Sequence, residues 1–336
     1  MRPLGKWFFW LMLLPPLAGW AAGVDEEVAG LLQGKAFCAP DETFPAPPGW
    51  LERSIRYDQW ARRADVAVSL DQQIHQLLHP LIKAYAREKG LDIPTLEGNC
   101  GLSSGQVMRK QVDIAGYCCP PGRSDRLPGL SYHTLGIASV AILVHPDNPL
   151  RNLSLKQARA IFRGQAHYWS QFIDGSGPPG PHWPIQTIGR LHCRLRPGHW
   201  RALLKEPDDF SPRMEEVGTI SDMLQRILAQ RGGIGYETMW HVNHYKGNEK
   251  PKALTIDGHA PDEVEALLSG HYPFYHVFNL TLWEGSLTNP HARELVRYLM
   301  EAVEKMDPAG SMVSAQALRK AGWRFQGNEL IGEPEK

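Results

Sequence analysis

Residues 136–144 read GIASVAILV, and Ser139 is the only polar side chain in this run. Such a run is typical of a strand that is buried on both faces of a mostly parallel sheet. Upstream, Ala64–Leu70 and Asp113–Gly116 also predict strands, and Gln72–Lys89 between them keeps apolar residues at helical spacing. Strands that alternate with helices indicate an α/β architecture, in which ligands bind at the carboxyl ends of strands.

The second half of the chain repeats this alternation. Ser154 and Gln157 form the pattern of a capping box at the start of a helix over Leu155–Phe162. Asn289 followed by Pro290 predicts the start of a long helix, because proline favours the first helical turn. The other predicted strands are Pro94–Glu97, Ile185–Gly189, Ile234–Tyr236 and Pro273–Leu282. The other predicted helices are Pro197–Lys205, Ile220–Arg231 and a helix that follows the loop at residues 98–101 and ends near Gln111.

Size and charge limit the classes of protein to which the chain can belong. A chain of 336 residues is long enough for two compact units. It has 36 basic and 36 acidic residues, and this balance argues against a nucleic-acid-binding protein, which carries a basic excess on one face. Hydrophobic residues make up 43% of the chain, so the sequence supports a folded core rather than disorder.

The first residues have the layout of a secretory signal peptide. Arg2 and Lys6 precede an apolar run at Trp7–Leu14, and residues 18–23 (AGWAAG) supply small residues for cleavage. The run is shorter than the about 20 residues that a membrane-spanning helix needs, although a membrane anchor is the alternative. We therefore expect a signal peptide over residues 1–23, a Pro-rich arm over residues 24–63 and a soluble mature protein in the periplasm.

A series of ordered motifs carries a family resemblance. The motifs are VDI at 112–114, VHPDNP at 144–149, NLS at 152–154, IFRG at 161–164, WS at 169–170, IGR at 188–190, GGIGY at 232–236 and LSGHYP at 268–273. In this order they resemble the periplasmic phosphate-binding proteins of ABC transporters, within the wider superfamily of solute-binding proteins. The resemblance runs from about Asp65 to Trp323 and so covers most of the expected mature chain.

The resemblance implies the two-lobed α/β fold of type II periplasmic binding proteins, with mixed sheets, flanking helices and two strands that cross between the lobes. The crossings are expected near Leu143–Pro146 and His271–Tyr275. Lobe I then comprises residues 64–143 and 272–330, and lobe II comprises residues 144–271. In this family the two lobes close on a small ligand.

The resemblance also implies ligand-binding residues. The family holds phosphate with hydroxyl groups, backbone N–H groups at helix N-termini, one arginine and one carboxylate, and helix N-termini are suited to anions. Ser69 is kept in the first ligand loop, and Asp71 lies near the position of the family's hydroxyl group. Arg190 keeps the position of the family's arginine, so we expect it to face the ligand.

Three cysteines depart from the family pattern at these positions. Counted from residues 112–114, a serine that contacts phosphate in the family falls on Cys100, and the ligand aspartate falls on Cys118. Cys193 lies where the family has a hydroxyl-rich turn after the arginine. Three predicted ligand loops therefore each contain a cysteine.

These cysteines permit two interpretations. Three thiolates from Cys100, Cys118 and Cys193 suit a thiophilic ion such as As(III), Zn²⁺ or Cu(I) better than phosphate, with His192 as a further ligand. Alternatively, Cys100 and Cys118 form a disulfide, or the cysteines are unrelated residues of separate loops. The role of Cys119 is open between a fourth ligand, a partner in a vicinal disulfide and a bystander. No cofactor other than such an ion is expected. Because five cysteines cannot all pair within one chain, at least one thiol is free, bound to a metal or paired with another molecule.

The sequence therefore favours a binding protein rather than an enzyme. We expect it to be a monomer that captures a small inorganic ion, either an oxyanion such as phosphate or a thiophilic ion such as arsenite. It would deliver this ion to an ABC permease or report it to a membrane sensor kinase. The alternative is a periplasmic redox enzyme, either a thiol–disulfide or a metal-dependent one, that works through Cys118 and Cys119, although a Cys-x-x-Cys motif is missing.

A histidine pair after the GGIGY motif is a weaker candidate. His241 and His244 are three residues apart, a spacing that places both on one side of a helix. Surface histidines are the favoured interpretation over metal ligands at this place.

Overall fold

The computed structural model describes residues 41, 43–46, 48–173, 177–191, 203–307 and 312–334. The strands in these ranges are β1 (Val68–Asp71), β2 (Thr95–Gly98), β3 (Ile114–Tyr117), β4 (Leu130–Val144), β5 (Asn152–Leu153), β6 (Gln186–Gly189), β7 (Glu215–Glu216), β8 (Gly233–Thr238), β9 (Lys252–Ile256), β10 (Tyr275–Trp283), β11 (Val313–Ser314), β12 (Arg324–Gln326) and β13 (Glu329–Gly332). The α-helices are α1 (Gln72–Lys89), α2 (Cys100–Met108), α3 (Leu155–Phe162), α4 (Ile220–Ala229), α5 (Met239–His244), α6 (Val264–Leu268), α7 (Pro290–Glu304) and α8 (Ala315–Lys320).

One mixed sheet runs through the described part of the chain. Its strands follow the order β2-β1-β3-β10-β4-β8-β6-β7, and β9 and β11 pair with β4 beside this path. Strands β2, β1 and β3 are parallel, and so are β8, β6 and β7, whereas β10 and β4 in the middle run antiparallel to their neighbours. The predicted α/β fold with a mixed sheet and flanking helices is confirmed.

The central strands β4 and β10 pass through two hydrophobic cores. In β4, Leu135 and Ala138 pack into one core, while Val140–Val144 pack into the other. In β10, Val277 and Phe278 belong to different cores, and the pairing with β4 shifts register immediately after Phe278. Two strands thus connect two packed units, as in a two-lobed fold. The first unit is built around β1 and β3 and the second around β6 and β8. The lobe boundaries at residues 144 and 272 stay a prediction.

The run at Gly136–Val144 is buried as predicted, but its neighbours differ from the expectation. We expected a mostly parallel sheet around it, yet β4 pairs antiparallel with β8, β9, β10 and β11. The apolar character of the run comes from its place between the two cores and not from parallel pairing. A continuous apolar strand reports burial on both faces, and that burial arises in both kinds of sheet.

Local signals in the sequence fix the helix ends. The Asp71 side chain caps α1 by accepting a hydrogen bond from the backbone N–H of Gln73, and Gly90 ends the helix in the left-handed region at φ 66°. The predicted capping box of Ser154 and Gln157 opens α3, and Asn289 caps α7. These helix starts are confirmed.

The described end of the Pro-rich arm is attached to the first of the two units. The Lys110 ammonium donates to the backbone oxygens of Trp50 and Arg53, at 2.5 Å and 2.9 Å. It also lies 4.9 Å and 5.2 Å from the ring centres of Trp50 and Trp283. Residues 48–63 therefore pack against the body of the protein.

Several predictions fall on residues that the structure does not describe. The signal peptide, Cys38, His192 and Cys193 lie outside the described residues, as does most of the helix predicted at Pro197–Lys205. None of the helices in the described ranges combines the length and the apolar character that are needed to cross a bilayer.

Candidate functional site

Cys100 lies at the first position of α2. Asn99 precedes it and caps the helix, because its side-chain oxygen accepts a hydrogen bond of 2.9 Å from the backbone N–H of Leu102. The cap fixes the chain where β2 ends, and Cys100 is only 3% exposed. The carboxyl end of β2 thus delivers one buried thiol to the edge of the sheet.

Cys118 and Cys119 follow β3 directly and are also buried. Because β1 pairs in parallel with both β2 and β3, the carboxyl ends of the three strands lie at the same edge of the sheet. Asn279 in β10 donates a hydrogen bond of 3.1 Å from its side-chain amide to the backbone oxygen of Cys119. This bond ties the segment after β3 to a central strand.

The three thiols form a cluster, which we call the thiol cluster (Cys100, Cys118 and Cys119). Their Sγ atoms all lie within 4.8 Å of one another, and those of Cys100 and Cys118 are 3.7 Å apart. A disulfide requires about 2.05 Å, so the alternative of a Cys100–Cys118 bond is not what the structure shows. Cys119, for which the sequence left three roles open, is part of the cluster.

The β1–α1 connection brings Asp71 to the thiol cluster. The Asp71 side chain is fully buried, and while Oδ1 caps α1, Oδ2 accepts a hydrogen bond from the Cys100 thiol at 3.4 Å. Ser69, two residues earlier in β1, has its hydroxyl 3.1 Å from that of Ser103, one turn into α2. Two of the predicted residues, Asp71 and Ser69, therefore lock β1 onto the start of α2.

Arg190 belongs to the other unit, where it follows β6. Its Nη1 donates to Oε2 of Glu237 at 2.8 Å, and both side chains are almost completely buried. The hydroxyl of Tyr236 bridges the backbone of Arg190, because it accepts from the N–H at 2.9 Å and donates to the carbonyl oxygen at 3.0 Å. The guanidinium is thus held in one orientation.

Glu237 is the centre of a small polar network. The backbone N–H of Thr238 donates to its Oε1 at 2.8 Å, and Nδ1 of His241 lies 3.5 Å from the same oxygen. Burial alone raises the pKa of Glu237, but the hydrogen bond from His241, the charge of Arg190 and the Thr238 N–H hold this pKa well below its ordinary value of 4.5. Glu237 is therefore a carboxylate that offsets the charge of Arg190.

Two donors of Arg190 remain available. Its Nε and Nη2 are buried, and they have no hydrogen-bond partner among the residues that the structure describes. A buried donor without a partner carries a desolvation penalty, and ligand oxygens remove that penalty when they bind. The arginine that the sequence singled out can therefore hold an anion by the free edge of its guanidinium.

Sequence reasoning found part of this arrangement. It brought Cys100 and Cys118 together correctly, whereas Cys193, the third member of the predicted triad, lies outside the described residues. It missed Glu237 and placed His241 wrongly at the surface, since that side chain is buried, while His244 is exposed as expected. The place of Glu237 beside Arg190 follows from the register that pairs Thr187 with Ile234 and so brings residue 190 level with residue 237, which the sequence alone does not show.

The described residues have the fold of type II periplasmic binding proteins. No family model matches the chain. Over 248 residues it is 23% identical to the phosphate-binding protein PstS of Bacillus subtilis, an alignment that covers 71% of this chain and 76% of the relative. It is 27% identical over 148 residues to PstS of Pseudomonas aeruginosa, and this match spans less than half of the relative, 45% of its length.

Two solved structures share this fold. An ABC-type phosphate transport receptor from Vibrio cholerae superposes with a TM-score of 0.59 at 17% identity and covers 74% of this chain and 99% of its own. A putative phosphate ABC transporter substrate-binding protein from Clostridium perfringens, solved with bound phosphate, gives a TM-score of 0.62 at 14% identity, with 74% and 98% coverage. The resemblance of this chain to phosphate-binding proteins is thereby confirmed.

Proposed function

We propose that this protein is a periplasmic solute-binding protein that captures a small inorganic oxyanion, with phosphate as the first candidate. The observation that carries the proposal is Arg190, whose Nε and Nη2 are buried without a partner among the described residues while Glu237 holds its Nη1. A planar guanidinium with two open donors is suited to two oxygens of one tetrahedral anion. The names of the relatives support the same ligand class.

The opposite unit offers further groups for an anion. Helices α1 and α2 both begin at the edge where β1, β2 and β3 end. The first N–H groups of a helix and its dipole both favour negative charge. An ion between the two units would then contact Arg190 from one side and these helix starts from the other.

A binding protein that captures an ion needs a partner that receives the ion or detects it. Receptors named for ABC-type phosphate transport are among the proteins of similar fold, so we propose an ABC permease as the partner and a membrane sensor as its alternative. We propose that the captured ion passes from a monomeric binding protein to that partner. Fractionation of cells that express the full chain tests the periplasmic location.

The redox alternative has less support. A thiol–disulfide enzyme requires a thiolate that its partner can reach, whereas Cys118 and Cys119 are 0% and 2% exposed. The relatives that the comparisons found are named as binding proteins. The solute-binding function is therefore the one that we propose.

Calorimetric titration tests the proposed function. The reduced mature protein is titrated with phosphate, arsenate, sulfate and arsenite in turn, and thermal unfolding is followed in parallel. An anion present at about 100 times its Kd should add about 2.7 kcal/mol of stability, which raises Tm. If none of these ions gives heat or raises Tm, the proposed function is wrong.

Arg190 gives the first specific prediction. Arg190→Lys keeps a positive charge beside Glu237 but lacks the two open donors, and we expect it to weaken oxyanion binding by about 1.5–3 kcal/mol, or roughly 10- to 150-fold in Kd. Calorimetry measures Kd, and urea unfolding shows whether the variant folds. Arg213→Lys, at an exposed arginine of the same unit, is the control and should leave Kd unchanged. Equal binding by Arg190→Lys and the wild type would contradict the role of Arg190.

Closure of the two units gives the second prediction. Because β4 and β10 connect two separate cores, binding of an ion between the units should bring them together. Small-angle scattering should then show a smaller radius of gyration with saturating oxyanion than without it. Arg190→Lys at the same ion concentration is the control. An unchanged radius at proven saturation would show that binding does not close the lobes.

A further inference from the structure

We infer that the thiol cluster (Cys100, Cys118 and Cys119) is a binding site for one thiophilic metal ion. The cluster lies at the helix starts that we propose above for the oxyanion, but its ligand is a soft cation. The inference depends on the positions of the three Sγ atoms and on the groups that hold them in place.

The spacing of the sulfurs matches a shared ion. Zn²⁺ binds thiolate sulfur at about 2.3 Å, so two ligands at a tetrahedral angle are separated by about 3.8 Å. The Sγ atoms of Cys100 and Cys118 are 3.7 Å apart, and all three sulfurs lie within 4.8 Å of one another. The other two separations exceed the ideal spacing by at most about 1 Å, so a modest approach of the sulfurs lets all three share one ion.

The cluster differs from ordinary buried cysteines. A single buried cysteine behaves as a small apolar side chain and packs against carbon atoms. Here three thiols from two separate segments, at the start of α2 and after β3, meet at one point of the sheet edge. Apolar packing gives no reason for three sulfurs to meet at one point, whereas the binding of a soft metal ion requires it.

Neighbouring groups prearrange the ligands. Oδ2 of Asp71 lies 3.4 Å from Sγ of Cys100, so this carboxylate can serve as a fourth ligand once the thiol has lost its proton. The amide of Asn279 holds the backbone of Cys119. Partners of this kind orient metal ligands, and their loss typically weakens metal binding by about 10- to 100-fold. Since Asp71 also caps α1 through its other oxygen, the thiol of Cys100 is oriented by a rigid element.

The class of ion follows from the donor set. Soft thiolates select Zn²⁺ and Cu(I) over the hard cations Mg²⁺ and Ca²⁺, which prefer oxygen ligands. When the ion binds, each coordinating thiol loses its proton to solvent, so one metal ion releases up to three protons. Co²⁺ is a useful probe, because it replaces Zn²⁺ at such sites and its sulfur-to-metal charge-transfer band reports thiolate ligands.

The test titrates the reduced mature protein with Co²⁺ under anaerobic conditions and then displaces Co²⁺ with Zn²⁺. We expect one Co²⁺ per chain with a thiolate charge-transfer band. Each of Cys100→Ser, Cys118→Ser and Cys119→Ser should weaken binding by at least about 100-fold and reduce the band, because serine offers a hard, protonated oxygen. Wild-type protein without a thiolate band, or three variants that bind as the wild type does, would overturn the inference.

Control variants distinguish this site from metal binding at the remaining cysteines. Cys38→Ser and Cys193→Ser should keep the stoichiometry and the band, whereas loss of the band in Cys193→Ser and not in Cys119→Ser would overturn the site in favour of the triad that the sequence predicts. Asp71→Asn keeps a good helix cap but removes the carboxylate, and it should weaken Co²⁺ binding by about 10- to 100-fold with the far-ultraviolet circular dichroism unchanged.

The two proposals are tested by separate signals, although the thiol cluster lies at the helix starts that we propose for the oxyanion. Phosphate titration of the same preparations reports on Arg190, and the cobalt spectrum reports on the thiols. Protein that binds phosphate but forms no cobalt–thiolate band would refute the metal site alone. Protein that forms the band but binds no oxyanion would support the metal site and refute the proposed function.

Discussion

Glu237→Ala is expected to lower the free energy of unfolding by about 3–5 kcal/mol, the usual cost of removing one partner from a buried ion pair. The reason is that Arg190 is 1% exposed and relies on Glu237 for its counter-charge. The substitution also removes the acceptor of the Thr238 N–H. Urea unfolding followed by circular dichroism measures the loss.

Two control variants separate charge from packing. Glu237→Gln keeps the size of the side chain and an acceptor for Thr238, so it should destabilise the protein less than Glu237→Ala. The double variant Arg190→Met/Glu237→Leu removes both charges, and it should recover most of the stability while losing the oxyanion site. A loss below about 1 kcal/mol in Glu237→Ala would show that water reaches the pair and replaces the missing carboxylate.

The same pair predicts how stability depends on pH. The pKa of Glu237 is lower in the folded protein than its ordinary value of 4.5, so its contribution to stability is present above that pH and is lost as the pH falls below it. Between about pH 7 and about pH 3.5, the wild type should lose more stability than Glu237→Gln, which has no group to titrate here. If the wild type and Glu237→Gln lose the same stability over this range, other carboxyl groups dominate the pH dependence of unfolding.

Helices were the part of the fold that the sequence predicted best. The range Gln72–Lys89 was predicted without error, because apolar spacing, an aspartate cap and Gly90 all act within a few residues of the helix. The starts of α3 and α7 were predicted for the same reason. Where the deciding contacts are local in the chain, the chain alone is sufficient.

Strand partners were harder to predict, because pairing is decided between distant segments. The direction of β4 relative to its neighbours was misjudged, since burial on both faces leaves the same apolar pattern in either direction. Strand β9 and the hairpin of β12 and β13 were not predicted. The strands of that hairpin carry charged residues such as Arg324 and Glu329, and these obscure the alternation of a half-buried strand.

The candidate site, like the fold, could be predicted from the sequence only in part. The family resemblance aligned Cys100 and Cys118 with ligand loops, and parallel strands with adjacent carboxyl ends bring these loops together. The role of Cys119 was left open, because whether a neighbouring side chain points to the same place depends on how the backbone turns after β3. The partner of Arg190 is 47 positions away, so it becomes visible only with the register of β6 on β8.

A second buried ion pair gives the last prediction, for the carboxyl-terminal hairpin. Arg126 and Glu329 form a two-pronged pair, with Nη1 donating to Oε2 at 3.0 Å and Nη2 donating to Oε1, and both side chains are at most 9% exposed. Their neighbours Leu127 and Leu330 pack into different cores. The pair therefore joins the segment before β4 to the hairpin of β12 and β13, across the boundary between the cores.

Glu329→Ala should cost about 3–5 kcal/mol of unfolding free energy, because it leaves the Arg126 guanidinium buried without this carboxylate. The hairpin should open first, since its hydrogen bonds to β4 are few among the described residues. The N–H of Thr134 donates to the Asn328 carbonyl, the Leu330 N–H donates to the Thr134 hydroxyl, and the Asn328 side-chain amide lies 3.1 Å from Nδ1 of His133. Urea unfolding gives the total loss, and hydrogen exchange should show faster exchange at the Leu330 amide. The exposed pair of Arg293 and Glu284 supplies the control, because Glu284→Ala should cost less than about 1 kcal/mol. If Arg126→Met/Glu329→Leu is no more stable than Glu329→Ala, the cost arises from lost packing of the hairpin and not from an uncompensated charge.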